Sequence, residues 1–378
     1  MKTIAIIGAG IAGIEAASRL SKCGHKVYLI EKNAEIGGHV AQWDRLFPSQ
    51  MEAKTVLDNL MDGLTNRVEV LANVNVQHLD KKTRQFEIIL TGNKNLLVDA
   101  VLVATGFDLF RAQRKEEYGY GIYDNVITSA DLEKMFASGK PVVTKKGDKP
   151  QRIAFIHCVG SRDDKVNNRH CSKVCCATAV KQACEIKQIY PDAEVYCFYM
   201  DLRMFDRHFE TMYLDAQTKY GVIFVRGRLS EAAESIDGRV TIKAEDTLMG
   251  KMLKISVDIL VLMAGMEATE DISQLAGMLS IAVGKDGFLN VADEYLQSNF
   301  TREKGVYVAG ACTGPKTIPE TLADARAAAV IIDEYLRSSG KGKTMREEFI
   351  EKIRNIREDL KDKREELRDK KTFGQTQH

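Results

Sequence analysis

Four of the chain's eight cysteines, Cys158, Cys171, Cys175 and Cys176, fall in one short stretch with the pattern C-x12-C-x3-C-C. Four thiolates brought together hold either zinc or an iron–sulfur cluster. Zinc is usually delivered by paired C-x2-C knuckles, and neither half of this pattern is one. Cys175 and Cys176 are adjacent and must splay apart, which suits a bulky cluster better than a single ion. Cys171 and Cys175, four apart, can share one face of a helical turn, and Cys158 would close the cage. From spacing alone a [4Fe–4S] cluster is favoured over zinc, with inert buried thiols third. Arg162, Lys165, Arg169, His170 and Lys173 are at hand to offset the charge of four thiolates. Cys184 and Cys197 read as small core residues.

The elements around this stretch are a strand and a helix. Arg152 to Ile156 is apolar and reads as a buried strand, and Ala177 to Ile189 reads as a helix. A strand-to-helix turn of this kind also opens the chain. Thr3 to Ile7 is a continuous apolar run, followed at once by Gly8, Gly10 and Gly13 in a G-x-G-x-x-G spacing and then by a helix from Ile14 to Ser21. The first glycine makes the tight turn, the second admits a pyrophosphate, and the third lets helix and strand pack closely. Val27 to Ile30 is the second strand, and Glu31 at its end can accept hydrogen bonds from an adenosine ribose. Together these features point to a dinucleotide site.

Further markers favour FAD over NAD. After Glu31 and Lys32 comes a double-glycine segment, Gly37-Gly38-His39-Val40-Ala41-Gln42. Ala100 to Val103 is a short strand ending in the turn Ala104-Thr105-Gly106. Val68 to Leu90 reads as a β-meander, with Val76 a candidate adenine contact. Near the other end, Gly305 to Ala309 is a strand that leads into Gly310-Ala311-Cys312. The segment Thr317-Ile318-Pro319-Glu320-Thr321 then opens a helix that runs to about residue 337. Thr317 and Glu320 fit a capping box, with Pro319 in the first turn. The N-terminus of that helix suits an anionic reduced flavin. Cys312 reads as a buried small residue. Lys181 either faces solvent from its helix or reaches the flavin N5 edge as a catalytic group.

Lys145 to Pro150 is charged and turn-rich, which places a boundary near residue 150. The segment 151–258 reads as a second βαβ unit, and the strand over 258–265 as the return to the FAD part. In a two-dinucleotide flavoprotein the second unit carries its own glycine loop for NAD(P)H. Here the strand ends in His157-Cys158-Val159-Gly160-Ser161-Arg162, so cysteines stand where the phosphate cradle would be. Lys plus Arg number 54 against 53 Asp plus Glu, so no basic excess points to nucleic acid. No apolar run approaches the roughly 20 residues of a membrane span. No signal peptide precedes the first strand, and eight cysteines then suggest metal or redox chemistry in a cytoplasmic protein. Residues 341–378 are highly charged. Met345, Phe349, Ile353, Ile356, Leu360 and Leu367 make a heptad-like stripe there, read as a solvated helix or a docking helix.

The cysteine stretch, with Lys181-Gln182-Ala183 after it, resembles the A subunits of heterodisulfide reductase and of the quinone-interacting membrane-bound oxidoreductase. The likeness includes Gly37 to Gln42, Phe47-Pro48 and the C-terminal flavin segment, and covers about residues 1–337. It implies that Cys158, Cys171, Cys175 and Cys176 hold a [4Fe–4S] cluster beside FAD. Longer members of that family carry cysteines after the Phe-Pro and an inserted ferredoxin-like module. This chain has Ser49 to Glu52 there and no insertion, so one FAD and one cluster are expected.

The expected fold is α/β, a two-dinucleotide-domain flavoprotein of the thioredoxin and glutathione reductase kind. An FAD domain would span 1–135 and 259–340, a modified nucleotide unit 150–258, and a helical tail 341–378. Cofactor contacts are expected from Gly8, Gly10, Gly13, Glu31, Lys32, Gly38, His39, Val40, Gln42, Val76, Ala104, Thr105, Gly106, Gly310, Ala311, Pro319 and Thr321. Implied partners are iron–sulfur proteins like the B and C subunits of heterodisulfide reductase, with a homodimer inside a larger complex and any membrane reached only through a partner. The expected role is that of an electron-transfer subunit passing electrons between flavin and those partners; the other readings are a self-sufficient NAD(P)H-dependent flavin oxidoreductase, the flavin subunit of a quinone-interacting membrane-bound oxidoreductase complex, and a zinc-stabilised assembly subunit.

Overall fold

Continuous apolar runs belong in parallel strands buried on both faces, and this chain uses them that way twice. In the computed structural model, which describes residues 1–338 apart from residue 84, the first parallel sheet has five strands. Their order is Val306–Val308, Ala100–Val103, Thr3–Ile7, Lys26–Ile30, Val68–Leu71. Thr3–Ile7 lies at the centre, paired with Lys26–Ile30 on one side and Ala100–Val103 on the other. Parallel neighbours need a crossover, supplied between the first two strands by the Ile11–Lys22 helix. That helix starts three residues earlier than its sequence signal, because Gly10 takes the N-cap position.

Val68–Leu71 is therefore the edge strand of this sheet, and the antiparallel meander is Val76–Lys81, Phe86–Leu90 and Asn95–Val98. The expectation of a meander from Val68 merged the two, since edge strands and meander strands share one alternating pattern. Leu79, Phe86, Ile88 and Leu90 seal the meander onto the first sheet.

The second parallel sheet runs Val126–Thr128, Ile259–Ala264, Arg152–Val159, Glu194–Tyr199, Ile223–Arg226. Ile259–Ala264 sits inside it, between Val126–Thr128 and Arg152–Val159. The crossing back to the first sheet thus comes after Ala264, whereas the sequence pattern places it before residue 259. Six consecutive buried residues make a central strand, but they do not say of which sheet. Asp108–Leu109 pairs antiparallel with Met266–Glu267, so the outgoing and returning crossings bind one another. A second meander, Leu229–Glu234, Val240–Asp246 and Lys251–Val257, packs under this sheet.

The Cys175–Ile189 helix covers the other face of the second sheet through Ala179, Val180, Ala183 and Ile186. Residues Met1–Ala329 form one compact unit; a second spans Val330–His378, of which only the end of the Ile318–Ser338 helix is described. The charged stripe from Met345 to Leu367 lies outside the described residues. Among the described residues no helix is long and apolar enough to cross a membrane.

Candidate functional site

The glycine loop folds as its spacing requires. Gly8 has φ +105°, and a Cβ there would lie 2.4 Å from the Ala104 carbonyl oxygen. At Gly13 a Cβ would meet the Gly8 carbonyl oxygen at 1.9 Å, so the third glycine serves helix–strand packing. Gly10 differs from both. Its φ is −73°, and a Cβ there would meet nothing within 4 Å. Neither backbone nor neighbours demand glycine at this point, and the space it leaves opens into a cavity of about 680 Å³. No side chain caps the helix that starts at Ile11, so its first N–H groups remain for an anion.

Most of the expected cofactor residues line this cavity: Gly8, Gly10, Glu31, Lys32, Gly38, His39, Val40, Gln42, Ala104, Thr105, Gly106, Ala311, Pro319 and Thr321. Gly13 and Gly310 stand behind the wall. Val76 is half-buried at the start of a meander strand, paired opposite Leu90 and packed on the core, and is not among the residues that line the cavity. Glu31 accepts from the Ala9 N–H at 2.8 Å and the Asn33 N–H at 2.9 Å, which ties the second strand to the glycine loop. His39 stacks on Phe107 at 4.4 Å between ring centroids, and its Nε2 lies 2.9 Å from the Phe107 carbonyl oxygen. Thr317 and Glu320 form the expected box: the Glu320 carboxylate accepts from the Thr317 N–H at 2.8 Å, and the Thr317 hydroxyl accepts from the Glu320 N–H at 3.4 Å.

The wall also holds groups that sequence did not single out. Thr105 Oγ1 and Thr269 Oγ1 are buried without a hydrogen-bond partner. Buried hydroxyls normally have one, and an orphaned pair on a cavity wall fits a polar ligand. Nothing in the sequence marked Thr269, which reaches the cavity only because the crossing strands bring it there. A bulky residue at position 10 should separate folding from binding. Gly10→Leu is expected to keep the parent's circular dichroism and thermal midpoint while its bound-flavin absorbance falls at least tenfold. A variant that kept its flavin would show that the cavity is not the flavin site.

At its far end the cavity reaches Ser172, Val174, Cys175, Thr178 and Lys181. Cys175 is the first residue of its helix, whose N-terminus has no side-chain cap. Cys158, Cys175 and Cys176 are buried free thiols in mutual contact. Interaction with Cys175, which lies against both, holds the Cys158 and Cys176 thiols below their usual range, and Cys175 itself is raised. Cys171 is half-buried, its sulfur accepting from the Lys173 N–H at 3.3 Å. It does not share a helical face with Cys175, because Lys173 turns left-handed (φ 63°) before the helix begins. Cys158, Arg162 and Asn167 are also left-handed, at φ 59°, 54° and 62°. Backbone held so often in a sparsely populated region marks a functional loop.

The loop's fastenings explain how that strain persists. Asn168 Nδ2 donates to the Gly160 carbonyl at 3.0 Å and to Glu267 at 2.6 Å, and the Met266 N–H donates to Ser172 Oγ at 2.7 Å. Lys173 pairs with Glu320, which joins the cysteine loop to the Ile318–Ser338 helix. Arg169 pairs with Asp164 at 2.7 Å. Of the cations expected to offset the thiolates, Arg162, Arg169 and Lys173 are each paired with a carboxylate.

Lys181 does not face solvent. Its side chain is 1% exposed, paired with Glu133 and 3.1 Å from Glu185 Oε2. Gln182 Nε2 donates to Glu133 at 2.8 Å, and burial pushes the Glu185 carboxyl up to about 7. Nothing in the sequence marks Glu133; the meeting of the Ser129–Ala137 and Cys175–Ile189 helices buries it. Cys184 and Cys312 are buried away from solvent, with thiols pushed up to about 12.

Known proteins share this architecture. Residues 2–156 and 174–329 match the family described as pyridine nucleotide-disulphide oxidoreductase. Thioredoxin reductase from Lactococcus lactis superposes with a TM-score of 0.63 over 89% of this chain and all of that one, at 16% identity, a likeness of fold. In sequence the chain is 34% identical, over 87% of its length, to the A subunit of H(2)/formate:CoB-CoM heterodisulfide,ferredoxin reductase from Methanococcus maripaludis. The same figures hold for the iron-sulfur A subunit of CoB–CoM heterodisulfide reductase from Methanocaldococcus jannaschii. This chain spans 63% of the length of each. Two parallel nucleotide-type sheets joined by paired crossings are what that family predicts, and the chain belongs to it: a pyridine nucleotide-disulphide oxidoreductase family member whose relatives are heterodisulfide reductase A subunits.

Proposed function

We propose that this chain is an FAD- and [4Fe–4S]-containing electron-transfer subunit of a heterodisulfide reductase-like complex. It would pass electrons between the flavin and iron–sulfur partners resembling the B and C subunits of such a complex. The observation that carries this reading is that one cavity is lined by both Gly10 and Cys175. A flavin dinucleotide laid from the glycine loop along that cavity ends beside the cysteine loop.

In this reading Gly8 to Gly13 and the Ile11–Lys22 helix N-terminus receive the pyrophosphate, and Glu31 the ribose. Gly38 to Gln42, Ala104 to Gly106, Ala311, Pro319 and Thr321 enclose the rest. Cys158, Cys171, Cys175 and Cys176 hold the cluster, with the uncapped helix N-terminus at Cys175 favouring its negative charge. Lys181 lines the same cavity as a buried cation, placed to stabilise negative charge developing on a ring there. When bound, FAD exchanges two electrons and the cluster one at a time. The NAD(P)H alternative lacks a second glycine cradle. Zinc is disfavoured because neither half of the C-x12-C-x3-C-C pattern is a C-x2-C knuckle. A cube's ligands stand around a larger body.

Purification without oxygen tests the proposal. The expected product is a yellow-brown protein with one flavin and about four irons per chain. Dithionite should produce a single cluster EPR signal, and NADH alone should leave the flavin band unchanged. Zinc in place of iron, or bleaching by NADH within seconds, would overturn it.

A further inference from the structure

Buried donor atoms in the cysteine loop find no oxygen or nitrogen acceptor and lie against the cysteine sulfurs. His157 is 7% exposed, and neither of its ring nitrogens has an oxygen or nitrogen partner. Arg162 Nη2 donates to Asp201 at 2.7 Å, while its Nη1 is buried without such a partner. A buried polar group left unpaired costs on the order of 1–3 kcal/mol, and a charged one more. Two such groups in one loop point to an acceptor that occupies the site.

The backbone shows how they come to face it. Along a regular strand His157 and Cys158 would point to opposite faces. Here the register of Arg152–Val159 shifts between Ile156 and Val159, and Cys158 turns left-handed. The break in the pleat lets neighbouring side chains serve one site. The Cys176 thiol feels His157 directly, and Cys158 feels both His157 and Arg162. Asp201, which orients the guanidinium, also accepts from Cys176 Sγ at 3.8 Å through its carbonyl.

We propose that His157 and Arg162 donate N–H hydrogen bonds to the sulfurs of the cysteine-held group and thereby raise its reduction potential. This rests on the iron–sulfur reading above. A cluster gains negative charge on reduction, so donors and a cation beside its sulfurs stabilise the reduced form more than the oxidised one. Both side chains act as positioning and tuning residues and carry no electron themselves.

An EPR-monitored redox titration of the full chain, freshly loaded and free of oxygen, reads this directly. At the wild-type midpoint, His157→Phe should lower the ratio of reduced to oxidised cluster at least tenfold, equivalent to 59 mV for one electron. His157→Gln, whose amide still donates, should restore most of that loss. Arg162→Met should shift the midpoint the same way, and Arg162→Lys less. Arg162 lies beyond the strand, so its variants carry the test alone if His157→Phe fails to hold iron. Unmoved midpoints in iron-loaded variants would overturn the inference and leave the cluster reading intact. Iron lost from His157→Gln as well as His157→Phe, with a changed EPR line shape, would make His157 a ligand and overturn it. Iron-free wild-type protein would overturn both together.

Discussion

Cys175→Ala is expected to yield a folded, yellow protein with at least tenfold less iron than the parent and no cluster EPR signal. The reasoning is geometric. Cys175 is buried, touches both Cys158 and Cys176, and lines the cavity at an uncapped helix N-terminus. Alanine is smaller and a better helix former, so the fold loses little. The glycine loop and the walls around Thr105 are untouched, which is why flavin should remain. Cys184→Ala is the control. That thiol faces the core on the same helix and should keep a full iron complement. Cys171→Ala tests the arrangement harder, because this thiol is only half-buried and precedes the helix that carries Cys175 and Cys176. A fourfold ligand set requires that it lose iron too. A full complement and an unchanged signal in Cys171→Ala would remove it from the set.

Lys181→Met should destabilise the protein by about 3–5 kcal/mol at pH 8, the cost of leaving a buried ion pair half-broken. Lys181 is the cation for both Glu133 and Glu185, all three buried. Losing it strands two carboxylates in a low-dielectric wall. The loss should shrink on acidification, and the sign follows from Glu185. Burial raises its carboxyl from 4.5 to about 7 in the folded protein. A raised acid contributes stability that is fully present below pH 4.5 and lost as pH rises through 7. Lys181 opposes that rise, so its removal widens the window upward. Urea midpoints at pH 8 and pH 5 measure the difference. An equal loss at both would mean that methionine costs packing rather than charge. If Lys181 also serves the flavin, the variant's flavin midpoint potential should fall, and that readout is independent of stability.

The dinucleotide half of the protein was legible before any coordinates. A glycine loop works through backbone conformation and close approach, which are local, so Gly8, Gly10 and Gly13 could each be given a role from spacing. The capping box at Thr317 and Glu320 was legible for the same reason. Whether the alternating strand that begins at Val76 lines a site or seals a core is not a local property, because both read alike. The placement of Ile259–Ala264 failed because an apolar run specifies burial and not its partners.

The sequence by itself determined the fold class, the dinucleotide loop, the family and the four candidate cysteines, since each depends on residue type at short spacing. Tertiary structure decided what those cysteines share a site with. It put a left-handed turn between Cys171 and the helix of Cys175, buried Lys181 between two carboxylates, and laid donors of His157 and Arg162 against the cysteine sulfurs. Those outcomes depend on which distant elements pack together. The paired crossings at Asp108–Leu109 and Met266–Glu267 bring the cysteine loop to the cavity that the glycine loop also lines, a juxtaposition that no local spacing encodes.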